Sequence, residues 1–280
     1  MKQPKNFACI IMVNYNGGDY LKNSIDSVRK NTKKGTYKII LIDNNSMDGS
    51  LKSVKEAPDL HIIKNDSNSG FSKGNNQGIK YALKKFNPKY FYLLSNDTLV
   101  NPNWLSESID VAETNKDIGI VAPRQLDFEG KPTNSIGWIK RWGVKYHQGD
   151  KIKEIGWANG ACFLVKTTLF EKIGLLDEGY SPAYYEETDF DKRAIDAGFK
   201  ILYAPKSIVY HKGGGSSTTF SQDRIFEVFY KNRIRFFLKH YSWFYFLPRI
   251  FLDFFKALKK GRVRLLFKSY RRGFLSLKNK

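Results

Sequence analysis

Along the first hundred residues, apolar runs and polar stretches alternate in blocks. "FACIIMVN" (7–14), "YKIILID" (37–43), "LHIIK" (60–64) and "KYFYLLS" (89–95) are short, continuous and rich in β-branched or aromatic residues. Runs of that length and composition predict strands buried on both faces. Between them the period changes. Leu21, Ile25 and Val28 recur at helical spacing behind Asp19, which reads as an N-cap. "DGSLKSVKE" (48–56) opens like a short helix, and residues 72–85 put Ile79, Ala82 and Leu83 on one helical face. Strand and helix in alternation predict an α/β fold with a mostly parallel central sheet flanked by helices. In such sheets ligands bind in the crevice beyond the carboxyl ends of the strands.

Beyond residue 117 the pattern is less regular. "IGIVAP" (118–123) and "GACFLVK" (160–166) read as strands, and 167–178 as a short helix with a glycine stop. Phe190, Ala194 and Ala197 form a helical face that Gly198 ends, and "KILYA" follows as a strand. From residue 225 bulky apolar and basic residues interleave at helical spacing, and Pro248 is expected to end or kink one of these helices. The pattern divides the chain into an α/β domain over 1–223 and a basic, aromatic helical tail over 224–280.

Composition sharpens this division. The chain has 280 residues, 41% hydrophobic and 26% charged, as in a folded protein. No run approaches the roughly 18–20 apolar residues of a membrane span. The start has too short an apolar core for a signal peptide and no small-residue cleavage site. Cys9 and Cys162 both lie inside apolar runs and read as buried thiols in a reducing compartment, so a cytoplasmic location is expected. The net charge is +20, and residues 224–280 hold 16 Lys and Arg against 2 Asp and Glu, or +14 of it. A phosphate-rich partner is implied there.

Candidate chemistry gathers at the predicted strand ends: Asn14-Tyr15-Asn16-Gly17-Gly18, Asp43-Asn44-Asn45-Ser46, Asn68-Ser69-Gly70-Phe71 and Ser95-Asn96-Asp97. For any one loop such residues are ordinary. Four clusters at one sheet edge point to a site. Asp43 can accept from a nucleobase imide N–H, or can cap the loop after it. Asp97 suits a hard cation such as Mg²⁺ or Mn²⁺ that keeps positions open for phosphates, or an Asx-turn with Thr98. Glu186 and Glu187 stand behind Tyr184-Tyr185, ahead of a helix whose dipole favours Asp189 and Asp191. An ionised carboxylate there could take a proton from an acceptor hydroxyl. His211 precedes a glycine run that lets backbone approach a phosphate, which makes a ligand role competitive with a merely packed histidine.

In this order, "VNYNGGDYL", "LIDNNSMDGS", "NSGFSKGNNQGI", "LLSNDTLVNP", "NGACFLVKTTLFEKIGLLDEGY", "YYEETDFDKRAIDAGFKILYAP" and "VYHKGGGSS" resemble glycosyltransferase family 2, in its bacterial rhamnosyltransferase-like branch. The resemblance covers about residues 7–217 and implies a GT-A nucleotide-diphospho-sugar transferase fold. It implies that Asn14, Asn16 and Asp43 hold the base and ribose, with Asn45 and Asn96 beside them. Gly70, Phe71 and Asn75 line the nucleotide pocket. Asp97 and His211 serve a divalent metal, Mg²⁺ or Mn²⁺, at the donor diphosphate. Glu187 is the catalytic base, with Glu186 able to exchange roles with it. Asn159, Gly160, Ala161 and Trp157 edge the acceptor pocket. The family's Asp-x-Asp is Ser95-Asn96-Asp97 here, so the first acid is missing.

The implied activity is inverting, metal-assisted transfer from dTDP-rhamnose or a UDP-sugar to a hydroxyl of a glycan, expected to be lipid-linked, in cell-surface polysaccharide synthesis. A nucleotidyltransferase on a similar sheet is a rival, yet the loop after the first strand has no Lys or Arg before Lys22. A non-catalytic nucleotide-sugar or glycan-binding protein is the second rival. The tail reads as an amphipathic anchor on the anionic inner face of the cell membrane, against the plainer alternative of helices packed on the first domain. It carries no known nucleic-acid motif, so no nucleic-acid partner is expected. A homodimer through the tails is a further alternative for that segment.

Overall fold

The structure, a computed structural model, describes residue 4 and residues 6–140, 143–213 and 220–278. Its elements run β1 (Ala8–Asn14), α1 (Gly18–Asn31), β2 (Tyr37–Asp43), a 3-10 turn (Ser50–Ser53), β3 (Leu60–Lys64), α2 (Phe71–Phe86), β4 (Tyr90–Leu94) and β5 (Thr98–Val100). Then come α3 (Trp104–Glu113), β6 (Ile118–Leu126), β7 (Ile136–Lys140), β8 (Gly143–Tyr146), β9 (Lys153–Ile155), β10 (Trp157–Ala158), β11 (Cys162–Lys166) and α4 (Thr167–Ile173). A second 3-10 turn (Glu178–Tyr180) leads to α5 (Glu186–Asp196), β12 (Lys200–His211), α6 (Gln222–His240), α7 (Trp243–Lys259) and α8 (Val263–Lys278).

The main sheet has the order β3-β2-β1-β4-β11-β6-β12-β5, with β9 also paired to β12. The first four strands are parallel, as their continuous apolar runs require. β11 enters antiparallel between β4 and β6, and β6 pairs β12 in parallel. One face of the sheet packs Leu21, Ile25 and Val28 of α1 with Trp104 of α3. The other packs Ile79 of α2, Phe170 of α4 and Phe190 of α5. A third core joins Tyr180 to Phe236 and Phe237 of α6, Phe246 of α7 and Leu266 of α8.

Several local expectations change. α1 begins at Gly18 with Gly17 at its cap, and Asp19 sits in the first turn. Residues 48–56 form only the 3-10 turn, because Asp48 folds back: its carboxylate accepts from Ser50 N at 2.9 Å and from Gly18 N at 2.7 Å. Pro248 lies inside α7, and the break falls earlier, at extended Tyr241 and Ser242. There Phe246 stacks on Phe237 at 5.0 Å and fixes the turn between α6 and α7. Glu186 and Glu187 open α5 itself rather than preceding it.

Candidate active site

A cleft of about 250 Å³ opens at the carboxyl ends of β1, β2 and β4. Parallel pairing sets Asn14 level with Asp43, so two strand-end clusters meet. Asn14 is fully buried. Its Nδ2 donates to Asp43 Oδ1 at 2.8 Å and to Ser46 Oγ at 2.9 Å, and its Oδ1 accepts from Asn96 Nδ2 at 2.6 Å. Asp43 Oδ2 accepts from Ser46 N at 3.1 Å. Both carboxylate oxygens of Asp43 are therefore engaged within the protein. Asn16 and Asn45 hold left-handed turns, at φ 52° and 63°. Asn16 Oδ1 accepts from Met47 N, and Asn45 Nδ2 donates to Asp66 O. Asn14, Asn16, Asp43, Asn45 and Asn96 thus brace the strand ends behind the lining of the cleft.

The residues that line that side include Asn44 and Asn68, to which sequence reasoning gave no role. Asn44 Oδ1 accepts from Asn65 Nδ2 and Ser69 Oγ, both at 2.9 Å, which pins the loop ahead of α2. Their signal was membership of the strand-end clusters. Gly70, Phe71 and Asn75 line the cleft as expected. Gly70 is required by two facts: its φ is +81°, and a Cβ would stand 2.9 Å from Pro182 O.

Asp97 and His211 come together across the sheet. β12 runs antiparallel to β5 with His211 opposite Thr98, and His211 Nε2 lies 3.2 Å from Asp97 Oδ1. Ser95 Oγ donates to the same oxygen at 2.6 Å. Burial opposes ionisation of Asp97, but the hydrogen bond and charge of His211, with Ser95, outweigh it and hold the carboxyl below its ordinary value. An oxygen and an imidazole nitrogen side by side fit a cation such as Mn²⁺ or Mg²⁺. No cluster of three ligating side chains occurs among the described residues. Residues 214–219, which hold most of the glycine run beyond His211, lie outside the described residues.

The opposite wall is the start of α5. Glu186 and Glu187 both line the cleft, with Asn159, Gly160 and Ala161 beside them. A Cβ on Gly160 would stand 3.3 Å from Glu187 Cβ, so this glycine gives the glutamate its room. Trp157 does not line the cleft; its Nε1 donates to Thr188 Oγ1 at 3.1 Å and ties β10 to α5. Burial dominates over the helix start. It raises the Glu186 carboxyl well above the usual range, with the Glu187 charge adding to the effect. Glu187 is also raised by desolvation, but Thr188 Oγ1 at 3.1 Å and the Trp157 indole favour its anion. Both carboxyls are thus held above the ordinary glutamate range, and the donors that favour an anion lie on Glu187.

The acidic side chains lining the cleft are Asp97, Glu186 and Glu187, and no Lys or Arg joins them among the described residues.

The sequence model for glycosyl transferase family 2 matches residues 9–174. The chain is 31% identical over 196 residues to the low-salt glycan biosynthesis hexosyltransferase Agl10 of Haloferax volcanii, across 66% of this chain and 60% of that protein. It is 23% identical over 231 residues to the N-acetylglucosaminyl-diphospho-decaprenol L-rhamnosyltransferase of Mycobacterium tuberculosis, across 72% of this chain and 75% of the relative. Among solved structures, GalNAc-T7 with UDP, GalNAc and Mn²⁺ superposes with a TM-score of 0.64 at 18% identity, over 84% of this chain and 48% of that one.

Proposed function

The chain belongs to glycosyltransferase family 2 and has the GT-A fold, and we propose that it is an inverting, divalent-metal-dependent transferase. It moves a sugar from a nucleoside-diphosphate donor, dTDP-rhamnose or a UDP-sugar, to a hydroxyl of a lipid-linked glycan. The observation that carries this reading is the set of side chains that shares one cleft. Asp97, His211, Glu186 and Glu187 line it together, with no Lys or Arg lining it among the described residues.

Asp97 and His211 would hold the metal, which supplies positive charge against the donor diphosphate. Glu187 accepts the proton of the acceptor hydroxyl. That oxygen forms its bond to the anomeric carbon as the bond from this carbon to the diphosphate breaks, and the nucleoside diphosphate leaves with the electron pair. The walls, held by the strand ends, keep donor and acceptor in line, which is the entropic part of the catalysis. Relatives support the substrate class: by its name, the mycobacterial protein transfers L-rhamnose to a diphospho-decaprenol-linked sugar.

A thermal-shift series of dTDP-rhamnose, UDP-sugars and GDP-mannose, with and without Mn²⁺, tests donor binding. Transfer to N-acetylglucosaminyl-diphospho-polyprenol, with the product anomer read by NMR, tests the reaction. A retained anomeric configuration, or no donor bound in Mn²⁺, overturns the reading. Donor binding without turnover would favour the non-catalytic alternative.

The tail is proposed to seat the enzyme on an anionic bilayer at the inner face of the membrane. No helix among the described residues is long and apolar enough to cross a membrane. Phe251 and Phe255 of α7 and Phe267 of α8 are 63%, 57% and 61% exposed. Lys256, Lys259, Arg264, Lys268 and Arg271 are exposed on the same two helices. Aromatics interleaved with cations match the interfacial zone of acidic lipids.

A further inference from the structure

We propose that Asn232, on α6, is a positioning residue for this reaction: its amide holds the loop that aims Glu187 into the cleft. Tyr184 and Tyr185 lie in succession at φ 74° and 75°. Non-glycine residues avoid that region, and two bulky aromatics remain there only when their surroundings impose it. Tyr185 is also the N-cap of α5, so its backbone sets where Glu186 and Glu187 point.

What imposes the conformation comes from the tail. Asn232 is fully buried. Its Nδ2 donates to Tyr180 O, to Ala183 O at 2.8 Å and to Tyr184 O at 2.9 Å. Its Oδ1 has no hydrogen-bond partner among the described residues. Turning the amide over would set an oxygen against three carbonyls, so this orientation is fixed. A hydroxyl has one proton to give, and a cation here would have to be desolvated, whereas a neutral amide brings two donors. Lys231 Nζ adds a bond to Ser181 O at 2.7 Å. α6 is itself fastened on both sides of the loop: Arg235 to Asp177 at 3.0 Å, Lys239 to Asp189 at 2.6 Å and His240 to Asp189 at 2.7 Å. The far side of the loop reaches the other wall of the cleft, where Pro182 O accepts from Phe71 N at 3.0 Å. One asparagine therefore links the tail to both walls.

The inference rests on the glycosyl-transfer reading in its kinetic arm, and its exchange arm is independent of it. Amide hydrogen exchange by mass spectrometry on the full chain compares wild type with Asn232→Ala and with Asn232→Ser, which keeps one donor. In Asn232→Ala, amides 183–187 are expected to exchange about tenfold faster or more while α6 to α8 stay protected. With dTDP-rhamnose and UDP-N-acetylglucosamine as probes in Mn²⁺, kcat falls on the order of 10²-fold and donor KM moves by less than about threefold. Asn232→Ser, which serves if the alanine variant does not fold, lies between. Unchanged loop exchange, or an unchanged kcat with only a lowered melting temperature, overturns the inference. A wild type inert toward all probes overturns the proposed function instead.

Discussion

His211 Nε2 stands 3.2 Å from Asp97 Oδ1, although more than a hundred residues separate them in the chain. The antiparallel register of β12 on β5 makes the contact. It supplies one imidazole and one carboxylate where the missing first acid of Asp-x-Asp would otherwise leave Asp97 alone. Asp97→Ala is expected to abolish Mn²⁺-dependent binding of UDP and dTDP in calorimetric titration and to lower turnover by about 10²-fold or more. His211→Ala should cost about tenfold, because the oxygen ligand dominates for a hard cation. Metal-dependent nucleotide binding that survives Asp97→Ala would remove Asp97 from this role.

Glu187 and Glu186 are predicted to differ sharply. Glu187→Gln removes the base and should cut transfer by about 10²–10⁴-fold with donor affinity unchanged. Glu186→Gln removes a carboxyl that burial pushes toward its protonated form and should cost less than about tenfold. Because desolvation raises Glu187, its anion forms at higher pH than for an ordinary glutamate. The kcat/KM profile should therefore rise with pH through an acidic limb above 4.5, which reports the coupled pair. If Glu187→Gln retains near-normal turnover while Glu186→Gln loses it, the roles are exchanged.

The same burial predicts a stability effect of opposite sense. The Glu186 carboxyl has a higher pKa folded than unfolded. Its contribution is fully present below the unfolded value, near pH 4.3, and is lost as pH rises toward the folded value. Glu186→Gln escapes that loss. It should raise the denaturant midpoint at pH 8 and give little or nothing at pH 4. A destabilised variant at pH 8 would mean that Glu186 is ionised in the fold.

The strand-end clusters were legible because continuous apolar runs announce a parallel sheet, and a parallel sheet brings its loops to one edge. That logic located Asp97 and Gly70 on the cleft, whereas Glu187 was singled out by its place at a helix start. It could not distinguish Asp43, whose oxygens are both engaged by Asn14 and Ser46, from its neighbour Asn44, which lines the cleft. Alternation tells which way a strand residue points, but not at the first residue beyond the strand. Nor could it find Asn232, which is one polar residue in a run of aromatics and cations. Its role exists only where α6 crosses the loop before α5, and no local spacing encodes that crossing.

Gly70 tests how tightly the two walls are joined. An alanine there would adopt φ +81° and put Cβ 2.9 Å from the Pro182 carbonyl oxygen, a backbone atom that cannot swing away. Gly70→Ala should cost about 1–3 kcal/mol of stability. It should also disturb the Phe71 N to Pro182 O bond and so weaken UDP and dTDP binding. Wild-type stability and nucleotide affinity would mean that the loop relaxes freely at this point.

Membrane seating calls for a test that spares the active site. Deleting residues 224–280 would also remove Asn232, Arg235 and Lys239, which fasten the loops around α5, so lost activity could not be assigned to lost lipid contact. Phe251→Ser, Phe255→Ser and Phe267→Ser combined touch only exposed positions. Each phenylalanine that enters the interface contributes on the order of 1–2 kcal/mol. The triple variant should therefore bind vesicles of phosphatidylglycerol and phosphatidylcholine at least about tenfold more weakly, with its melting temperature and soluble-donor turnover unchanged. Wild type should leave these vesicles as salt rises, because exposed Lys and Arg on α7 and α8 supply the attraction. Equal binding to pure phosphatidylcholine would remove the anionic requirement. No binding to either vesicle, with a concentration-dependent dimer lost in the triple variant, would assign this face to a second copy of the chain.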